Sequence, residues 1–393
     1  MFRHIAKLSI IILVLLSLCG CQKDEPFTMA VASDIHYIGN DLHDDGYFFN
    51  GVLDSGDGKI VDHSEEILDE FIREVIDRHP DVLLITGDIT FNGEYVSHEE
   101  VKRKLDQVKE AGIDVLVLPG NHDVYNSMAA SFSGNGYEYI QGTTTEDFYS
   151  IYHDYYENVL SKDENSLSVV YEINKGNRIL LLDTNTFLRE CNLAKGTLEF
   201  VEDALKEAKK DNVNLIVAGH QNLFKHSIFD FGYVIIGADK LIELFKEYEM
   251  PLFLSGHMHI QHIATSDNIS EVCTSALSIY PLQYGIIQYE KGRYTYDTCE
   301  LNTDLRDFAK ERICYVNELK SLSRLEEDIE DREELARFNG ELNATYFKGD
   351  LTDIEKYKEL FDRWISLGTG STGYLEYIYN ERGSDFRHLE IER

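Results

Sequence analysis

Five times between Phe27 and His259 a short apolar run breaks directly into a carboxylate, an amide or an imidazole. Met29-Ala30-Val31-Ala32 leads into Asp34-Ile35-His36, and Val82 to Ile85 leads into Thr86-Gly87-Asp88. Val115 to Leu118 leads into Gly120-Asn121-His122-Asp123, Leu215 to Ala218 into Gly219-His220, and Leu252 to Leu254 into Gly256-His257-Met258-His259. Runs of this length predict buried strands, and the stretches between them carry helical spacing. Ile67, Leu68, Phe71, Ile72, Val75 and Ile76 form one such stripe over Ser64 to His79, stopped by Pro80. Val101, Leu105 and Val108 form a second, Leu198 to Lys209 a third, and Leu241, Leu244 and Phe245 a fourth. Leu167 to Ile173 and Arg178 to Leu182 predict neighbouring strands around Lys175-Gly176-Asn177. Strands alternating with helices specify an α/β fold with a mostly parallel sheet. Such sheets place their sites at the carboxyl ends of the strands, where all five polar motifs fall.

Each motif alone is weak. A Gly-Asp after a strand is ordinarily a turn, and a Gly-Asn-His is ordinarily a loop. Their coincidence carries the weight, because together they supply carboxylate, amide and imidazole and no thiolate. That donor set suits Mn, Fe, Zn or Mg, and it argues against a structural cysteine-zinc site. Charge points the same way. The 393 residues hold 71 Asp plus Glu against 37 Lys plus Arg, a formal net charge of −34. Such a surface repels long nucleic acid and anionic lipid headgroups. A phosphate-bearing substrate then needs a local positive source inside the negative field, and a metal pair supplies one.

The ordered series D-x-H, GD, GNHD, GH and GHxH resembles the calcineurin-like metallophosphoesterase superfamily over roughly residues 27 to 298. The resemblance implies a four-layer αββα sandwich, with paired sheets between helices. It implies two divalent ions, one held by Asp34, His36 and His259 and the other by Asn121, His220 and His257, with Asp88 bridging them. Such a pair lowers the pKa of a water between the ions and clamps phosphate oxygens. His122 matches the family's non-ligating histidine, a general acid, while Asp123 either orients local groups or caps its loop. Departures narrow the branch. Protein Ser/Thr phosphatases follow GD with Asp-Arg-Gly, where this chain has Ile89-Thr90-Phe91. Purple acid phosphatases place a tyrosine where Phe91 stands and lack the histidine that His36 provides. The pattern is most similar to class III cyclic-nucleotide phosphodiesterases, whose secreted Gram-positive lipoproteins append a helical C-terminal domain. The implied activity is hydrolysis of small phosphodiesters, cyclic nucleotides foremost. The alternatives are a phosphomonoesterase acting on nucleotides or sugar phosphates, and a non-catalytic binding lipoprotein.

The flanks complete the expectation. Arg3 and Lys7 precede an apolar run, Leu8 to Leu18, too short for the roughly 20 residues of a membrane-spanning helix. Residues 1–25 therefore predict a signal peptide, and Leu18-Cys19-Gly20-Cys21 resembles a bacterial lipobox with Cys21 as the lipidated residue. This places residues 26–300, the catalytic domain, on the extracytoplasmic membrane face through a lipid anchor alone, or secreted. Residues 301–393 predict a helical C-terminal domain. Tyr37 to His63 reads as a long connection without periodicity. Its Tyr47, Phe48 and Phe49 either pack on the sheet rim or stack a base, and His43, Asp44 and Asp45 are candidates for the site mouth. Residues 126–145 are a second candidate wall, and His226 and His262 lie in sequence near two motifs as candidate phosphate contacts. Cys299 and Cys314 either pair or remain thiols, like Cys191 and Cys273.

Overall fold

The computed structural model describes residues 25–44, 46–186 and 189–392. Strand β1 (Phe27–Ala32) is followed by helices α1 (Tyr47–Ser55) and α2 (Ser64–Arg78). Strand β2 (Val82–Ile85), helix α3 (Tyr95–Glu110) and strand β3 (Asp114–Val117) complete two parallel crossovers. A hairpin of β4 (Ala130–Ser133) and β5 (Gly136–Tyr139) precedes helix α4 (Thr145–Tyr152). The second sheet is built from β6 (Val159–Lys162), β7 (Val169–Asn174), β8 (Asn177–Leu182), α5 (Thr197–Asp211), β9 (Asn214–Gly219), α6 (Ala238–Glu247) and β10 (Leu252–Ser255). It closes with β11 (His262–Ser266) and β12 (Ile269–Cys273), in the order β11-β12-β10-β9-β8-β7-β6. The chain then returns to the first sheet through β13 (Gln283–Glu290) and β14 (Arg293–Glu300).

Side-chain alternation along the strands explains the layering. Successive residues of a strand point to opposite faces. Ala30, Ala32, Leu83, Ile85, Val115 and Val117 meet the stripes of α2 and α3. Met29, Val31, Val82, Leu84 and Leu116 face the other way, onto Ile216, Ala218, Leu252 and Leu254 of the second sheet. Leu215, Val217 and Phe253 in turn meet α5 and α6. Three stacked cores thus separate four layers, helix, sheet, sheet and helix. Because both strand faces are covered, the parallel strands read as unbroken apolar runs.

Two stretches differ from expectation. Tyr37 to His63 is not structureless: α1 buries Phe49 and Leu53 in a small core with Phe91 and Phe132. Phe48 and Phe49 stack on or tilt against these rings, so they pack the rim and do not await a base. Asp44 accepts from the amides of Gly46 (2.9 Å) and Gly134 (2.7 Å), fastening the start of α1 to the β4–β5 turn. His43 stacks on Phe49, and Asp45 lies outside the described residues. At the other end, α8 (Arg332–Lys348), α9 (Lys358–Leu367) and α10 (Thr372–Asn380) gather around Trp364, together with Ile260 and Cys273, while α7 (Leu305–Leu322) packs Ile313 against Ala276, Ile279 and Ala344 of α8. The C-terminal segment is not wholly helical, however. Strand β15 (His388–Glu392) pairs antiparallel with β14 and adds a sixth strand to the first sheet. Cys191, Cys273, Cys299 and Cys314 are free thiols.

Candidate metal centre

All five motifs leave the carboxyl ends of β1, β2, β3, β9 and β10 and converge at one edge of the two sheets. The turns are sharp. Asp34, His36, Asp88, His257 and His259 all adopt left-handed backbone angles, with φ of 52°, 49°, 47°, 68° and 61°. For a residue bearing a Cβ that conformation costs roughly 1–2 kcal/mol, so the fold holds strained residues where their side chains are needed. Gly120 is required for a different reason, since a Cβ there would collide with the Asp88 carboxylate.

The convergent atoms form two groups that share one carboxylate. Donor atoms of Asp34, His36, Asp88 and His259 lie within 4.8 Å of one another, and so do those of Asp88, His220 and His257. Nε2 of His259 is 3.2 Å from Asp34 Oδ1 and 3.2 Å from His36 Nε2. Asp88 Oδ2 is 3.8 Å from His36 Nε2 and 3.3 Å from His220 Nε2, while its Oδ1 accepts the His122 amide at 2.8 Å. Asn121 stands at the margin, its Oδ1 accepting from Gln221 Nε2 at 3.2 Å. Six of the seven candidate ligands expected from the motifs are therefore brought together in these groups, and Asn121 stands beside them, bonded to Gln221.

The donor chemistry fits cations. Asp34 Oδ1 and His220 Nε2 are buried without a hydrogen-bond partner, although buried polar atoms are rarely left so. Outer nitrogens are held so that the inner ones face the centre. His220 Nδ1 donates to the Thr86 carbonyl (2.8 Å), and His257 Nε2 donates to the Gly232 carbonyl (2.7 Å). His259 Nδ1 meets the carboxylate of Asp57. Metal-ligating histidines are oriented by such contacts. Asp57 was not foreseen, because Gly56-Asp57-Gly58 reads only as a turn.

Electrostatics divides the imidazoles in two. Burial, with His220 nearby, pushes His257 down to about 4, and burial with Lys59 holds His36 well below its usual value, leaving both with free lone pairs. Burial also opposes charge on His220, but Asp88 and Asp34 overcome it and pull that group up to about 9. Against burial and Lys59, Asp57 and Asp34 do the same for His259. The carboxylates demand positive charge here, as protons or as metal.

His122 and Asp123 sit beside this centre in distinct roles. His122 Nδ1 donates to the Phe91 carbonyl (2.7 Å), leaving Nε2 to exchange a proton, and its ring lies edge-on to His36 with centroids 4.9 Å apart. Asp123 is fully buried and accepts from the amides of Ile89 (3.1 Å), Thr90 (2.9 Å) and Gly120 (2.8 Å). It therefore clamps the loop after β2 to the loop after β3. Next to Asn121 opens a cleft of about 700 Å³, lined among others by Tyr125, Asn185, Arg189, Phe231 and Ile236. Thr145, at the end of the expected second wall, reaches it. His226 and His262 do not. They are buried against each other, Nδ1 to Nδ1 at 2.9 Å, with their outer nitrogens on Glu271 (3.0 Å) and Glu381 (3.1 Å). Two carboxylates claim the nitrogens that a phosphate would need.

Known proteins share this frame. The chain is 44% identical over 55 residues to a probable cyclic nucleotide phosphodiesterase of Vesicomyosocius okutanii, covering 14% of this chain and 22% of that protein. It is 30% identical over 184 residues to a probable glycerophosphodiester phosphodiesterase of Arcobacter nitrofigilis, covering 46% of this chain and 57% of that one. The matches thus span 22% and 57% of these relatives' length. In fold, it superposes on a dimetal phosphatase from Danio rerio with a TM-score of 0.52 at 11% identity, over 70% of this chain and 96% of that one. The profile of the calcineurin-like phosphoesterases matches residues 27–261, more than half of the sequence. The chain belongs to the calcineurin-like phosphoesterase family.

Proposed function

We propose that the chain is a metal-dependent phosphodiesterase acting on small diesters, cyclic nucleotides foremost. The observation that carries this reading is the pair of donor groups sharing Asp88, with Asp34 Oδ1 and His220 Nε2, neither of them hydrogen-bonded, aimed into it. Two divalent ions held there, of a kind the donor set leaves open among Mn, Fe, Zn and Mg, would supply Lewis acidity toward phosphate and would lower the pKa of a water. The protein does the rest. Asp34, His36 and His259 form one cradle, Asn121, His220 and His257 the other, and Asp88 spans both. His122 delivers a proton from Nε2 to the departing ester oxygen, its ring fixed by the Phe91 carbonyl. The retained ester limb lies in the adjoining cleft, where Tyr125 and Phe231 offer aromatic surface and Arg189 a cation.

The names of the relatives from Vesicomyosocius and Arcobacter support a diester over a monoester. We further propose that Cys21 tethers the chain to the extracytoplasmic face of the cell membrane, with residues 26–300 catalytic and 301–393 appended. Residues 1–24, Cys21 among them, lie outside the described residues. The −34 of the chain supports a small ester as partner over long nucleic acid, which such a surface repels. Turnover of bis-p-nitrophenyl phosphate and p-nitrophenyl phosphate with added Mn²⁺ tests the reading. Faster hydrolysis of the diester is expected. Much faster monoester turnover would replace it with a phosphomonoesterase, and no turnover of either would leave a binding protein.

A further inference from the structure

We propose that Asp57 is a positioning residue for the metal centre and that the C-terminal helix α7 holds it in place. The inference rests on the two-metal reading and adds a task for the appended segment. His220, His257 and His122 lean their outer nitrogens on the neutral backbone carbonyls of Thr86, Gly232 and Phe91. His259 leans instead on a carboxylate 202 residues away in sequence. A carboxylate on Nδ1 fixes the tautomer that presents Nε2 and makes that nitrogen a stronger donor to a cation. The other oxygen of Asp57 is held by Lys59 Nζ at 3.3 Å.

The connection that carries Asp57 runs from the end of α1 toward α2, and α7 fastens it at three points. Arg312 Nη1 donates to Asp54 Oδ1 at 2.7 Å, just before the turn. Lys320 Nζ donates to the Gly56 carbonyl at 2.7 Å, one residue before Asp57. Gly58 has φ of 108°, and a Cβ there would sit 2.7 Å from the Ile313 Cα, so its backbone lies directly on the buried face of α7. Arg312, Ile313 and Lys320 thus bracket Asp57 on both sides. Without them, a stretch flanked by two glycines has the backbone freedom to swing its carboxylate off His259. Arg312 and Lys320 act through Asp57, and Asp57 acts through His259.

The test titrates Mn²⁺ by calorimetry into the full chain and into Asp57→Asn, Asp57→Glu and Lys320→Met, with thermal unfolding recorded alongside. Asp57→Asn is expected to weaken one of two Mn²⁺ ions by about 10- to 100-fold and leave the other unchanged. Asp57→Glu should recover part of that loss, and Lys320→Met should weaken the same ion by a smaller factor. Wild-type affinity for both ions in Asp57→Asn would overturn the inference. So would both ions weakening together in step with a fall in Tm, the signature of a merely structural residue. If Asp57→Asn does not fold, Lys320→Met decides, and unchanged affinity for both ions counts against the proposal. Wild-type protein that binds two Mn²⁺ yet hydrolyses no ester defeats the phosphodiesterase reading alone. Hydrolysis by the wild type with undisturbed Mn²⁺ binding in Asp57→Asn defeats this inference alone.

Discussion

Asp88 joins the two halves of the centre, since one oxygen takes the His122 amide while the other faces His36 and His220. His122 has its outer nitrogen spent on a carbonyl, as His220 and His257 do, but unlike them it has no place in either donor group. His122→Ala should therefore lower diester turnover by roughly 10²- to 10⁴-fold while Mn²⁺ stoichiometry stays at the wild-type value. Loss of an ion in that variant would make His122 a ligand. A second residue reports on stability. Glu94 is buried with one oxygen unpartnered, and burial raises its pKa to about 7 despite the Asn92 amide. The folded state thus holds this proton more tightly than the unfolded chain does. Its contribution to stability is full below about pH 4.5 and is lost as pH rises through about 7. Between pH 5 and 8 the Tm of Glu94→Gln should fall less than that of the wild type, and parallel profiles would refute the assignment. At this scale the candidate ligands were readable because each follows a strand within a few residues. Asp57 was not, since nothing local marks a carboxylate whose partner is His259.

Among the elements, the loops after β2 and β3 depend on Asp123, which gathers three amides and the Thr90 hydroxyl. Asp123→Ala leaves those donors buried without an acceptor. It should cost about 2 kcal/mol or more in stability and depress turnover together with it. An unchanged denaturation midpoint would show that the loops close without it. The parallel strands and α2, α3 and α5 could be read directly, because apolar period and burial coincide in them. Helix α1 was missed for a physical reason: Phe49 and Leu53 pack on Phe91 and Phe132, distant in sequence, and Gly46 and Gly51 blur the pattern. Strand β15 was missed likewise. Leu389 and Ile391 alternate over only five residues, and their partners on β14 lie nearly a hundred positions earlier. His226 and His262 show the converse, since nearness to a motif along the chain did not place them at the centre.

For the whole molecule, the four layers follow from strands that bury both faces, while the appended helices close over the second sheet at Ile260 and Cys273. Ending the chain at Glu300 would bare those residues and the edge of β14 that β15 covers. Such a truncated protein should partition into the insoluble fraction, as exposed strand edges and apolar patches associate. Soluble, monomeric material with full Mn²⁺ affinity would show instead that the segment is dispensable. The net charge of −34 sets the frame for the chemistry, because it leaves the metal pocket as the place where a phosphate meets concentrated positive charge. The most direct test of that claim is turnover of bis-p-nitrophenyl phosphate as Mn²⁺ is added to metal-free protein, for the wild type and Asp88→Asn. Activity should rise until two equivalents are bound and then level, with Asp88→Asn near background throughout. Full turnover without metal, saturation at one equivalent, or an undiminished Asp88→Asn would contradict it.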